Sequence, residues 1–167
     1  EADAMLCGIV GKYQGKLKHV LDVLGHDPAV PSISSMSVVI SDKGPLFFTD
    51  THVQNNPSAE QIAEATLQAA YRLKLFGITP KVALVCHSNF GASDAPSARK
   101  MREALQLILQ RAPRLEVEGE MHVDAALMPE VRERIRLAVA AEWRAAIRPA
   151  PAVRGANASA RAARRWQ

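Results

Sequence analysis

Val82-Ala83-Leu84-Val85-Cys86 is a short apolar run that passes directly into His87-Ser88-Asn89-Phe90-Gly91-Ala92-Ser93-Asp94 and then into a helical stretch from Ala95 to Ala112. Leu115-Glu116-Val117-Glu118-Gly119-Glu120-Met121-His122-Val123-Asp124-Ala125-Ala126 repeats the arrangement. Two consecutive strand-to-helix turns on one sheet set their loops side by side at its carboxyl edge, where open α/β sheets bind ligands. Function is expected there.

Outward from this pair the chain keeps alternating. Met5 to Val10 is apolar and ends at Gly11; Leu17, Val20, Leu21 and Leu24 then recur at helical spacing until Gly25. Met36 to Ile40 and Leu46 to Asp50 read as strands of a hairpin turning at Gly44-Pro45. Ser58 with Gln61 three residues on is a capping box, and Ile62, Ala65, Thr66, Ala69, Leu73 and Phe76 form the stripe of the helix it starts. The next helix has Asp94 or Ser97 as its expected cap, Pro96 in its first turn, and Met101, Leu105, Ile108 and Leu109 facing inward. A last helix is expected from about Asp124 to Ile147, with Pro129 in its early part. The alternation predicts a three-layer α/β fold: a mostly parallel sheet, helices on both faces, and the residue 36–50 hairpin as an antiparallel addition.

Composition narrows the function classes. No apolar run approaches the roughly 18 residues of a membrane span, and Glu1 to Met5 lacks the basic flank of a signal peptide, so a cytoplasmic protein with no membrane partner is expected. Cys7 and Cys86 belong to no Cys-x-x-Cys pair and read as small buried thiols, without disulfide or zinc. Residues 1–135 carry 14 Lys and Arg against 16 Asp and Glu, whereas residues 136–167 carry seven Arg against Glu142 alone. The basic character therefore belongs to an Ala/Arg-rich tail. The expected organisation is a partial α/β domain over 1–147 and a disordered tail over 148–167. With no aromatic but Trp166 in that tail's basic part, a nucleic-acid partner is not expected.

Several clusters invite a chemical reading. Backbone N–H groups at a helix start, Gly91 without a side chain, and the hydroxyls of Ser88 and Ser93 suit a phosphate; the alternative is that Ser93 and Asp94 cap the helix and Gly91 serves the turn. Cys86 and His87 are adjacent, and alternation along a strand would point them apart. His52, His87 and His122 each follow a strand but lack a tight ligand spacing, so no metal site is expected. Glu118, Glu120 and Asp124 could serve acid/base work. Equally, Glu118 and Glu120 would share one strand face as a solvated edge or in salt links to Arg99 or Arg102, with Asp124 a helix cap.

Four strings in order, Glu1-Ala2-Asp3-Ala4-Met5-Leu6-Cys7-Gly8, Pro80-Lys81-Val82-Ala83-Leu84, His87-Ser88-Asn89-Phe90-Gly91 and Glu118-Gly119-Glu120-Met121-His122-Val123-Asp124-Ala125-Ala126, resemble the phosphate acetyltransferase family. They look most like the acetyltransferase-like domain on the carboxyl side of bacterial hybrid NADP-dependent malic enzymes, over about residues 1–135. The resemblance implies a truncated phosphate acetyltransferase-like domain, the inserted one of two α/β domains, and a homodimer. It implies acetyl-CoA or CoA as ligand, with phosphate as the other small molecule, and Ser88, Asn89, Gly91, Ser93 and Lys18 as the contacts. NADP and a divalent metal would serve a separate malate-oxidising domain.

Two departures argue against turnover. The family's late Ser-Arg pair and nearby acid lie beyond the similarity, so no catalytic residue is assigned. Residues 11–18 read Gly-Lys-Tyr-Gln-Gly-Lys-Leu-Lys where true acetyltransferases tend to place a Ser/Thr-rich loop and an Arg. Lys18 stands at that Arg position, and a point charge cannot reproduce the planar fork that grips two phosphate oxygens. After Ile135 the resemblance implies a Pro-containing turn and another apolar strand, whereas the chain turns Ala/Arg-rich, as a reading-frame change in a GC-rich gene would produce. Three functions are expected in order: a truncated acyl-CoA-binding regulatory domain of a hybrid malic enzyme, a fragment of a working phosphate acetyltransferase, and a non-catalytic dimerisation module.

Overall fold

The computed structural model describes residues 8, 10–28, 30–42 and 44–146. The strand expected over residues 5–10 falls mostly outside the described residues, and the tail from Arg148 falls wholly outside them. The chain divides into two compact units, Glu1–Ala69 and Ala70–Gln167. Among the described residues no helix is long and apolar enough to cross a membrane.

In the first unit, α1 (Tyr13–Leu24) ends at Gly25, whose N–H donates to Leu21 O at 2.9 Å with φ at 70°. A left-handed residue at that place is what a glycine supplies without steric cost. β1 (Met36–Ser41) and β2 (Gly44–Thr49) form the expected hairpin, Met36 opposite Thr49 and Ile40 opposite Pro45. The pair is a two-stranded sheet of its own among the described residues. Pro45 lacks a donor for the ladder but lies on a strand that is an edge among the described residues, where the loss is tolerated. β1 leaves Val38, Val39 and Ile40 exposed.

Asp50 organises the turn beyond the hairpin. Its carboxylate accepts from Ser35 N and Oγ at 3.0 and 2.7 Å, and from Val53 N and Gln54 N at 3.3 and 3.0 Å. Burial pushes this carboxyl up, the Ser35 hydroxyl and the three backbone donors pull it down, and the donors prevail, leaving it below the ordinary carboxylate range.

α2 (Ala59–Leu75) begins with the capping box read from its sequence: Gln61 N donates to Ser58 Oγ, and Ser58 N donates to Gln61 Oε1. Its buried residues are Ala63, Ala65, Thr66, Ala70 and Leu73.

The second unit contains the deciding stretch. β3 (Lys81–Val85) pairs in parallel with β4 (Glu116–Met121), and α3 (Pro96–Arg111) crosses between them and packs on β4. This is the expected strand, loop, helix, strand order of an α/β protein. Ile108 and Met121 are fully buried, each worth about 1.5–3 kcal/mol of apolar burial. Ala98 and Ala104 are the other buried residues of α3. Met101, Leu105 and Leu109, expected inward, are only half-buried.

The register carries one irregularity. Leu84 faces Gly119 but Val85 faces Met121, so Glu120 is an extra residue on β4. Gly119 has φ of 150°, and a Cβ there would lie 2.7 Å from both Cβ and O of Leu84. Only glycine lets the strands approach so closely at the bulge.

The last helix differs from expectation. It is two helices, α4 (Val123–Leu127) and α5 (Pro129–Ala146), because Pro129 offers no N–H and drives Met128 into the extended region, φ −123° and ψ 102°. Buried Arg132 of α5 donates through Nη1 to Ala125 O and Ala126 O, satisfying carbonyls at the end of α4. The helix persists to Ala146, through the region where the resemblance implied a turn and a strand.

Candidate functional site

The loop after β3 and the corner after β4 lie together at the carboxyl edge of the parallel pair. Cys86 N donates to Met121 O at 2.9 Å, Phe90 N to Glu120 O at 2.7 Å, and His122 N to the Asn89 side-chain oxygen at 2.7 Å. The juxtaposition expected from sequence is thus made by direct bonds between residues some thirty positions apart.

What holds the loop is Glu120. Its side chain is 0% exposed, and Oε1 accepts from Ser88 Oγ, Gly91 N and Arg102 Nη1, each at 2.9 Å. Three donors on one oxygen, one of them a guanidinium, are the compensation a buried carboxylate needs. Oε2 has no hydrogen-bond partner among the described residues. The bulge puts it here: the extra residue breaks the alternation that would have set Glu118 and Glu120 on one face. Neither forms a solvated edge, as both are buried. Glu118 instead pairs with Arg136 of α5, whose guanidinium also lies 5.2 Å from the Phe90 ring centroid. Burial lowers the Arg136 pKa from its ordinary value.

The sequence-read site residues separate under this geometry. Ser88 is buried, and its hydroxyl is engaged on both sides, donating to Glu120 and accepting from Ser93 N at 3.1 Å. Asn89 is buried and ties the two corners together. Gly91 at φ 87° and Phe90 at φ 50° form the left-handed turn of the loop. Ser93 Oγ accepts from Ala95 N at 3.2 Å. Lys18 is exposed on α1 of the first unit.

Several sequence expectations need correction. Neither Asp94 nor Ser97 caps α3; the cap residue is Ala95 without a side-chain bond, and Asp94 instead pairs with Arg102 and Arg99. Asp124 does not cap α4 either. The cap residue is His122, while Asp124 lies in the first turn and accepts from Ala125 N. Cys86 Sγ and His87 Nδ1 are 3.4 Å apart, since Cys86 lies past the end of β3, where strand alternation no longer separates neighbours. Cys86 is half-buried rather than buried. Among the described residues no three His, Cys, Asp or Glu are placed to hold a metal ion. Arg102 and Glu120, which decide the loop, are visible in sequence only as one of several salt-link pairings.

A family model described as phosphate acetyl/butaryl transferase matches residues 1–166. The chain is 50% identical over 135 residues to an NAD-dependent malic enzyme of Rhizobium meliloti, covering 81% of this chain and 18% of that protein. It is 48% identical over 132 residues to an NADP-dependent malic enzyme of Escherichia coli, covering 79% of this chain and 17% of that one. A phosphotransacetylase structure from Streptococcus pyogenes superposes with a TM-score of 0.66 at 26% identity, covering 75% of this chain and 39% of that chain. The chain therefore spans less than a fifth of the malic enzymes it matches.

Proposed function

The chain belongs to the phosphate acetyl/butaryl transferase family, and from that premise we propose that it is the acyl-CoA-binding regulatory part of a hybrid malic enzyme, without turnover of its own. The observation that carries the choice is the contrast in identity: 50% and 48% to two malic enzymes, against 32% over 138 residues to a phosphate acetyltransferase of Acetivibrio thermocellus. Lys18 in place of the family's Arg supports the same choice.

The ligand is acetyl-CoA or coenzyme A, and its phosphates meet the loop after β3. Gly91 and Phe90 turn that loop back on itself, and Glu120 fixes it from beneath. Asn89 ties the loop to the corner after β4 and Ser93 Oγ accepts from Ala95 N just before α3, with Ser88 acting through Glu120. A pre-formed loop spares the ligand the entropy of ordering it. NADP and a divalent metal would serve malate oxidation in another part of such an enzyme, and no residue of this chain is assigned to them. The parent assembly is a homodimer located in the cytoplasm.

Calorimetric titration of the full chain with acetyl-CoA, beside an acetyl phosphate formation assay, tests the reading. Saturable binding without acetyl phosphate formation is expected. Acetyl phosphate production would assign the chain to the working transferases, and gel filtration showing a dimer that takes up no coenzyme A would leave an assembly module.

A further inference from the structure

Arg102 stands between two carboxylates of unlike standing. Nη1 donates inward to Glu120 Oε1 at 2.9 Å and to Ser93 O at 3.0 Å; Nη2 lies 3.2 Å from Oδ1 of Asp94, whose side chain is 83% exposed. Arg99, three residues earlier and on the same face of α3, lies 3.7 Å from the other oxygen of the same carboxylate. One solvated carboxylate thus bridges two guanidinium groups at the rim of the loop. Asp94 is not employed as a helix cap there.

The two attachments differ in permanence. Glu120 is fully buried and bound to three donors, so it holds Arg102 in place. Asp94 is held only by exposed pairs, which are individually weak and screened by salt. A phosphate carries more charge and more acceptor oxygens than a carboxylate, and guanidinium forks match it in pairs.

We propose that Arg99 and Arg102 form a phosphate-binding site which the Asp94 carboxylate occupies in the free protein and yields to the ligand. This deepens the acyl-CoA reading and rests on it for the identity of the ligand, a phosphate of a coenzyme A thioester. Removing the charge of Asp94 then strengthens binding, the reverse of what loss of an ordinary contact does.

The test is titration of the full chain and its D94N, R99A and D22N variants with coenzyme A and, separately, with inorganic phosphate. Asp22 lies exposed on α1 in the first unit and controls for the change in net charge. D94N should bind about two- to fivefold more tightly than the unaltered chain, D22N should change less, and R99A should bind more weakly. R99A is preferred to a change at Arg102, which would strand buried Glu120. If D94N matches D22N or binds more weakly, the proposal is overturned. If coenzyme A does not bind at all while D94N still tightens phosphate, the site stands and the acyl-CoA reading fails.

Discussion

Replacing Glu120 by glutamine asks whether a charged oxygen, rather than merely an acceptor, holds the loop after β3. Glutamine keeps the shape, but Arg102 loses its buried counter-charge, and an amide NH2 takes the place of an oxygen already lacking a partner among the described residues. Removing one member of a buried ion pair costs about 3–5 kcal/mol. Arg102 is 32% exposed and retains Asp94, so the cost belongs below that range, at about 2–3 kcal/mol. That is a large share of the roughly 5–15 kcal/mol typical of a whole domain. Urea denaturation followed by circular dichroism reads it as a shift of midpoint at unchanged slope. The change R102L, which strands the carboxylate instead, should cost at least as much, and the E120Q/R102L double variant less than the sum of the two. An E120Q variant within about 0.5 kcal/mol of the parent, or strict additivity in the double variant, would refute the reasoning.

Two further outcomes are expected from the geometry. Gly119→Ala brings a methyl to 2.7 Å from the Leu84 backbone oxygen at a φ that disfavours side chains, and should cost about 2–4 kcal/mol by thermal melting; an unchanged Tm would mean the bulge is not tight. Asp50 titrates below its ordinary range in the folded chain, so its contribution is present above the unfolded carboxylate pKa and drains away as pH falls through the folded one. Stability measured from about pH 6 downward should fall less steeply in Asp50→Asn than in the parent, and parallel curves would contradict the assignment.

Much of this protein is decided by local chemistry legible in the chain itself. The capping box at Ser58 and Gln61, the left-handed end of α1 at Gly25, the hairpin about Gly44-Pro45 and the strand, loop, helix, strand order of residues 81–121 depend on neighbours a few positions apart, and each is found where the pattern puts it. The break at Pro129 is equally local, although the apolar pattern by itself carries one helix through the proline. Family membership is likewise read along the chain, from a family model that matches residues 1–166. The role of Glu120 is not available in this way. Period-two alternation assumes an unbroken ladder, and a single extra residue beside Gly119 turns the carboxylate out of register into the core. Its donors come from positions 88, 91 and 102, and only folding brings each of them to 2.9 Å from one oxygen. A charge in the core is stabilised by groups distant along the chain, so its meaning is tertiary, whereas a turn or a cap is settled by the residues beside it.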